Sequence, residues 1–278
     1  MAQGTKSISS PVRIGICAPS TPFNREEADR VVALAAESHP QAELIFDEQC
    51  FLEHGHFAGN DEQRLATFVA LANDPAIDAI WFARGGYGAA RIADAAIGQL
   101  GGDAGRKTYL GYSDAGNLLG ALYRAGIGHV AHGPMPSDIG RIGGEDAIGR
   151  ALDWIVHQRP DAVDPGLASG RKYAAFNLMT LAMMTGTKLM PDLRDHILII
   201  EEISEYLYAF DRAMFHLRTM AWPASVSVAS AISPKMTAPL AKTLKQSPED
   251  GLSNTGSPIL GARKSDMTPR TALSRSGF

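Results

Sequence analysis

Short apolar runs alternate with segments of helical spacing through the first half of the chain. Apolar runs at residues 12–18, 42–46 and 76–83 predict buried strands, because each is short and bounded by turn-forming residues. Residues 24–36 and 61–71 have apolar positions at helical spacing and predict helices between these strands. Strands that alternate with helices favour a parallel sheet with helices on both faces.

The same alternation continues towards the middle of the chain. Residues 109–111 and 128–131 predict two more strands, with a helix at 115–123 between them. We therefore predict an N-terminal α/β domain with a parallel sheet, Rossmann or flavodoxin-like, over residues 1–158.

A change of pattern marks the predicted domain boundary. Residues 159–170 are rich in Pro, Gly and Asp and show no periodicity, which is typical of a linker. Beyond them, residues 177–184 and 209–220 predict helices, and residues 196–200 (HILII) predict a buried strand. We therefore predict a smaller C-terminal α+β domain over residues 171–278.

The last part of this domain has an atypical composition. Residues 221–278 contain ten Ser, five Thr and six Pro, and only Trp222 and Phe278 are aromatic. Such a composition resembles a linker more than half of a hydrophobic core.

Overall composition narrows the class of protein. A length of 278 residues favours two packed domains, and a hydrophobic content of 45% is that of an ordinary globular protein. A net charge of −4 without a Lys/Arg cluster argues against nucleic acid as a partner. No segment reaches the ~18 to 20 apolar residues that span a bilayer, so we expect no membrane contact and a cytoplasmic location.

The sequence gives no sign of a metal site or a disulfide. Cys17 and Cys50 lack metal-ligand spacing, and Cys17 lies in an apolar run typical of an inert core thiol. No His, Cys, Asp and Glu set has convincing ligand spacing, although His54 and His56 would share one face of a strand. We therefore expect no metal and no cofactor.

Two glycine-rich turns follow predicted strands: residues 84–88 (RGGYG) and residues 111–114 (GYSD). The carboxyl ends of parallel strands share one edge of the sheet, where ligands bind. A serine on a tight strand-to-helix turn, here Ser113, exposes its hydroxyl beside backbone N–H groups that can stabilise an oxyanion. Gly85 and Gly86 permit the close approach of a second backbone donor.

Each turn also has a simpler interpretation. Ser113 could cap the following helix, with Asp114 as a favourable charge in its first turn. The GGYG segment could cradle a phosphate, although it lacks a Walker lysine and GxGxxG spacing.

Four longer segments carry a family resemblance. In order, HFAGNDEQRLATFVALANDPAIDAIWFARGGYGAARI, YLGYSDAGNLL, HGPM and LMPDLRDHILIIEEISEYLYAFDRAM resemble the LD-carboxypeptidase family, over about residues 12 to 220. The resemblance implies a metal-independent serine peptidase that removes the terminal D-alanine from murein tetrapeptides in cell-wall recycling. It also implies a Ser–His–Glu triad at a domain interface and a homodimer.

The resemblance assigns roles to individual residues. Ser113 matches the nucleophile and Glu201 the glutamate that orients the histidine, while the backbone N–H groups of Gly86 and Asp114 match the oxyanion donors. Adjacent Glu202 is an alternative to Glu201, and a carboxylate after a strand is also typical of a helix start or an ion pair. Arg84 has a guanidinium that suits a substrate carboxylate, or equally a structural ion pair.

The triad histidine is missing from its expected C-terminal place. No histidine follows His216 in the sequence. His132 and His216 are the nearest stand-ins, although core or surface roles are more typical of both.

A shifted reading frame would account for both the missing histidine and the altered composition. If each codon took the last nucleotide of one codon and the first two of the next, the junction of Asp266 and Met267 would encode only His or Tyr. The junction of Met267 and Thr268 would then encode Asp, which permits an IGHD motif like that of the family. We therefore predict a frameshifted tail and very low activity of the chain as written.

Three other functions remain open. A microcin-immunity-type peptidase would share the catalytic machinery and cleave an aminoacyl-nucleotide antibiotic. An inactive homologue would still hold cell-wall peptides, and a nucleotide-binding module is the most distant alternative.

Overall fold

The computed structural model describes residues 10–165, 167, 170–203 and 205–220 and the backbone of two further strands, Ser227–Ile232 and Ser274–Arg275. The remainder of the segment 221–278, including the junctions at residues 266–268 on which the frameshift prediction depends, lies outside the described residues.

The main sheet contains five parallel strands in the order β2-β1-β3-β4-β5. These strands are β1 (Val12–Cys17), β2 (Ala42–Phe46), β3 (Ala79–Phe82), β4 (Thr108–Gly111) and β5 (His129–His132). The chain adds β2 on one side of β1 and the later strands on the other side, so the point where the strand order switches lies between β1 and β3. In such a sheet, ligands bind at the carboxyl edge near this switch point. A two-residue strand, β9 (Ser274–Arg275), pairs antiparallel with β5.

Five helices cover the two faces of this sheet: α1 (Arg25–Ser38), α2 (Asp61–Asn73), α3 (Ala89–Ile97), α4 (Gly116–Ala125) and α5 (Gly144–His157). The buried side chains of α1 and α5 form one core with one face of the sheet. Those of α2, α3 and α4 form a second core on the other face. Burial on both faces explains why the strands are continuous apolar runs.

Local signals place the helix ends. Asn60 and Gln63 form a reciprocal capping box at the start of α2. The side chain of Asn24 accepts hydrogen bonds from two backbone N–H groups at the start of α1. α4 ends at Gly126, whose left-handed backbone is the usual helix stop.

A second, smaller sheet follows, with strand order β6-β7-β8 and all strands parallel. Its strands are β6 (Lys172–Asn177), β7 (His196–Glu202) and β8 (Ser227–Ile232), and they alternate with α6 (Leu178–Met184) and α7 (Leu207–Thr219). A separate hydrophobic core lies between this sheet and its helices. Met184 at the end of α6 contacts Gly120 on α4, so the helices of the smaller sheet pack directly against those of the main sheet.

The predicted α/β class with a parallel N-terminal sheet is confirmed. Five of the strands and α-helices were not predicted, namely α3, α5, β6, β8 and β9. α3 follows directly on a glycine-rich turn, β6 is only partly apolar, and β8 and β9 lie in the segment whose composition resembles a linker. The boundary at residues 159–170 stays a prediction; α5 ends at His157 and β6 begins at Lys172.

The two cysteines lie in the cores on opposite faces of the main sheet. Cys17 and Cys50 are buried free thiols, and burial raises the pKa of both. Among the described helices, none has the length and apolarity needed to cross a bilayer.

Candidate active site

A cleft of about 890 Å³ opens at the carboxyl edge of the main sheet. Its walls come from the loops after the five main strands β1 to β5, from α6 and from the end of β7. The main sheet and the smaller sheet, with their loops and helices, therefore both contribute side chains to this cleft.

Ser113 lies on the turn between β4 and α4 and lines this cleft. Its φ of +58° puts a non-glycine residue in the left-handed region, which is disfavoured and is often retained at functional sites. The predicted strand-to-helix turn at Ser113 is thus confirmed. Ser113 does not cap a helix through its side chain, because the helical turns that start there have no side-chain cap.

The glycine-rich turn after β3 packs directly against Ser113. A Cβ atom on Gly85 would lie 2.8 Å from Ser113 Oγ, so only glycine permits this approach. Gly86 has a φ of +121°, and a Cβ atom there would lie 2.4 Å from Thr21. Within the described part of the chain, the N–H groups of Gly86 and Asp114 donate no hydrogen bond.

The Asp114 carboxylate joins three segments behind this turn. It accepts hydrogen bonds from Ser20 Oγ at 2.6 Å, from the Ala89 N–H at 2.8 Å and from Asn117 Nδ2 at 2.9 Å. Burial raises the pKa of Asp114, and these three donors partly offset that effect. Sequence reasoning treated this side chain as a first-turn charge and missed its role, because the partners are distant in sequence.

Glu201 and Glu202 both line the cleft but differ in their contacts. Glu202 accepts hydrogen bonds from Asn177 Nδ2, the Met179 N–H and the Ile203 N–H. Glu201 Oε1 is buried and has no hydrogen-bond partner among the described residues. Burial and, secondarily, the charge of Glu202 raise the pKa of Glu201 to about 7. One oxygen of Glu201 is thus without a donor among the described residues, whereas both oxygens of Glu202 already accept hydrogen bonds.

Two arginines reach the cleft. Arg84 is exposed, and its Nη1 donates to the Pro22 carbonyl at 3.3 Å. Among the described residues it makes no ion pair, so its charge is not neutralised by a neighbouring carboxylate. Arg141, which was not considered from sequence, lies 3.2 Å from Asp138 Oδ1. The hydroxyl of Tyr112 donates to that same oxygen.

The histidine stand-ins do not lie in the cleft. His132 lines a separate small cavity, and burial lowers its pKa to about 4, so at neutral pH it is a weak base away from Ser113. His216 is partly buried on α7 and is not a lining residue. Of the histidines in the described part of the chain, only His56 lines the cleft, and sequence reasoning considered it only as half of a surface pair with His54.

His56 belongs to an aromatic group at the rim of the cleft. Its ring centroid lies 5.3 Å from that of Phe57 and 6.4 Å from that of Tyr87. Tyr87 is about half exposed. Exposed rings in this position offer a flat surface on which a planar group can stack.

Comparisons with known proteins agree with this arrangement. The family model described as "LD-carboxypeptidase N-terminal domain" matches residues 14–133, and "LD-carboxypeptidase C-terminal domain" matches residues 172–260. The expectation that the resemblance stops near residue 220 is therefore wrong, since the match continues for 40 residues. The frameshift itself stays a prediction.

Curated relatives share moderate identity. A Bacillus subtilis protein named "Probable murein peptide carboxypeptidase" is 29% identical over 77% of this chain and 69% of its own length. The murein tetrapeptide carboxypeptidase of Pseudomonas aeruginosa is 30% identical over 58% of this chain and 57% of its own length. The chain likewise spans 58% of the length of a Synechocystis relative.

Solved structures share the fold. The muramoyltetrapeptide carboxypeptidase from Oxalobacter formigenes has a TM-score of 0.62 at 21% identity, covering 83% of this chain and 80% of that one. The protein MccF in complex with glutamyl sulfamoyl guanosine has a TM-score of 0.65 at 17% identity, covering 86% and 85%. With both family models matched in order along the same chain, this protein belongs to the LD-carboxypeptidase family.

Proposed function

We propose that this protein is a serine LD-carboxypeptidase that removes the terminal D-alanine from murein tetrapeptides in the cytoplasm. The observation that carries the proposal is the left-handed backbone of Ser113, which lies on a strand-to-helix turn in contact with Gly85 at the floor of the cleft. Names of relatives in the same family support the substrate class.

The proposed reaction is a two-step acyl transfer. Ser113 Oγ forms a bond to the carbonyl carbon of the scissile peptide, and its proton passes through a base to the D-alanine amine as the C–N bond breaks. The backbone N–H groups of Gly86 and Asp114 are the proposed donors to the carbonyl oxygen. Water then releases the remaining tripeptide and restores Ser113.

Glu201 is proposed as the group that orients the base. Its buried Oε1 at the end of β7 has no hydrogen-bond partner among the described residues, and in the proposed triad it accepts from an imidazole N–H. The chain has no histidine after His216 to supply that imidazole. We therefore expect turnover of the chain as written to be lower by on the order of 10⁴ to 10⁶ than that of a complete triad.

One cationic side chain of the cleft is placed to bind a carboxylate of a peptide. Arg84 has no carboxylate partner among the described residues, and Arg141 shares Asp138 with Tyr112. A murein tetrapeptide has several free carboxylates, and a guanidinium can bind a carboxylate through two parallel hydrogen bonds. We propose Arg84 as the binding residue for one of them.

A microcin-immunity-type activity is the second candidate. The exposed rings of His56 and Tyr87 at the rim favour it, because a nucleotide base can stack there. An inactive homologue that only binds muropeptides is the third, and it is favoured by the missing histidine. A homodimer is proposed from the family resemblance alone.

The test separates binding from turnover. The full chain would be titrated calorimetrically with a murein tetrapeptide and, separately, with an aminoacyl sulfamoyl adenosine. D-alanine release would be measured for this chain and for a version whose tail is restored to the other frame. Ser113→Ala removes the proposed nucleophile, and Ser137→Ala removes another cleft serine as the matched control.

The proposal expects tetrapeptide binding by both versions and D-alanine release by the restored version that Ser113→Ala abolishes and Ser137→Ala preserves. Comparable release by the two versions would show that another residue acts as base and that the frameshift prediction is wrong. Tight binding of the nucleotide compound alone would favour the second candidate.

A further inference from the structure

Three side chains of types that can bind a metal lie close together where α1 and α5 end. One ring nitrogen each of His39 and His157 and one carboxylate oxygen of Asp153 lie within 4.8 Å of one another. Asp153 and His157 are four residues apart, so they share one face of α5. His39 is the residue that closes α1, and its carbonyl accepts from the N–H of Ala42, the first residue of β2.

This cluster is remote from the cleft. It lies at the amino end of β2, whereas Ser113 follows the carboxyl end of β4 in the same parallel sheet. Strands of four to six residues separate the two edges by roughly 13–20 Å. The cluster is therefore independent of the serine chemistry.

Hydrogen bonds fix which nitrogen of His39 faces Asp153. Ser38 Oγ lies 2.7 Å from the Leu34 carbonyl oxygen and 2.9 Å from His39 Nδ1, so it holds the ring in either neutral tautomer. His39 Nε2 faces Asp153 Oδ1 at 3.2 Å. In the tautomer that has its proton on Nδ1, the Nε2 lone pair is available to a metal ion that Asp153 also binds.

The spacing and the local charge suit a metal. Two ligands about 2.1 Å from a tetrahedral zinc ion are about 3.4 Å apart, which is close to the observed 3.2 Å. The carboxyl ends of α1 and α5 also add partial negative charge at this point. His39 is buried, with an oriented ring of the kind that metal-binding histidines usually have.

Two neighbours act on the cluster. Gln41 Nε2 donates to the lone pair of His157 Nε2 at 2.7 Å, so a metal bound at that nitrogen would displace the amide. Arg159 Nη1 lies 3.5 Å from Asp153 Oδ1, but its Nε donates to Asp161 at 2.9 Å, so its charge is shared. Arg159 is the cation with which a bound metal would compete.

We propose that His39, Asp153 and His157 form a structural site for a divalent transition metal, most simply Zn²⁺ with water as the fourth ligand. Two imidazoles and one carboxylate favour zinc over Mg²⁺ or Ca²⁺, which take oxygen ligands. The ion would link the ends of two helices that cover the same face of the main sheet. Sequence spacing did not predict this site, because His39 is 114 residues from Asp153.

The test uses the full chain with any affinity tag removed and metal stripped by a chelator. Calorimetric titration with ZnCl₂ should show one equivalent bound with micromolar or lower Kd, and MgCl₂ should show none. At a free zinc concentration of 100 Kd, the Tm should rise by roughly 5 °C. No zinc binding in the micromolar range would overturn the proposal and leave His39 and Asp153 as an ordinary ion pair.

Variants show whether the ion binds at this cluster. His157→Gln and Asp153→Asn alter side chains that are exposed or partly exposed, so the fold should persist, and each should weaken zinc binding at least about tenfold. Ser38→Ala should also weaken it, through the orientation of His39. Arg159→Gln should tighten it, because the competing cation is gone.

The matched control is His54→Gln, which removes an exposed histidine elsewhere and should leave the Kd unchanged. Equal affinities of wild type and His157→Gln, or a loss of binding in His54→Gln, would place the zinc at another site and overturn the proposal.

Discussion

Ser20 Oγ donates a 2.6 Å hydrogen bond to the buried carboxylate of Asp114, the residue directly after Ser113. This bond joins the loop after β1 to the turn after β4, although the two residues are 94 positions apart. The same carboxylate oxygen accepts from the Ala89 N–H at the start of α3. One side chain thus holds together the three loops that surround the proposed nucleophile.

Removing the Ser20 hydroxyl should destabilise this arrangement. In Ser20→Ala the Asp114 carboxylate remains buried but loses a donor, and such a loss costs about 1–3 kcal/mol of unfolding free energy. Urea denaturation followed by circular dichroism measures the difference. The exposed Ser10→Ala is the matched control and should change stability by less than about 0.5 kcal/mol. Equal effects of the two variants would mean that the bond contributes nothing.

The backbone strain at Ser113 predicts an unusual order of stability. A left-handed conformation costs a non-glycine residue about 1–2 kcal/mol, and glycine avoids that cost. Ser113→Gly should therefore be more stable than Ser113→Ala by about 1 kcal/mol, although both variants lack the hydroxyl. The two variants share the loss of function, so a comparison of their unfolding free energies isolates the strain. An alanine variant as stable as the glycine variant would contradict the strained geometry.

The raised pKa of Glu201 predicts that ionisation of this carboxyl lowers the free energy of unfolding at high pH. In the folded protein the pKa of Glu201 is about 7, whereas a glutamate carboxyl in the unfolded chain has its ordinary pKa of 4.5. The contribution of Glu201 to unfolding free energy therefore falls as pH rises from about 4.5 to 7, and the full cost applies above pH 7. At about 1.4 kcal/mol per pKa unit, that cost is on the order of 3 kcal/mol.

Glu201→Gln should accordingly raise the unfolding free energy at pH 8 and leave it nearly unchanged at pH 4. Urea denaturation at the two pH values measures this, with the exposed cleft residue Glu205→Gln as the matched control. A difference between wild type and Glu201→Gln that is the same at both pH values would show that the carboxyl of Glu201 titrates normally in the fold.

Local patterns in the sequence were sufficient for much of the fold. The apolar run at residues 12–18 corresponds to β1, and the helical spacing at residues 61–71 corresponds to most of α2. The turn that carries Ser113 was also predictable, because a short apolar strand ends directly in Gly-Tyr-Ser-Asp. Periodicity, caps and turn residues act over a few positions, so a single sequence shows them directly.

Contacts between distant segments were decided only by the tertiary structure. Glu201 and Glu202 are adjacent in sequence and both line the cleft. One oxygen of Glu201 has no partner among the described residues, whereas Glu202 accepts from the Met179 N–H in the first turn of α6. His56 lines the cleft and His132 does not, because the packing of distant segments, rather than spacing in the sequence, decides which side chains meet. The cluster of His39 and Asp153 likewise exists only because two helices pack on one face of the sheet. Sequence spacing determines which residues share a local face, and the packing of the sheet determines which of those faces meet.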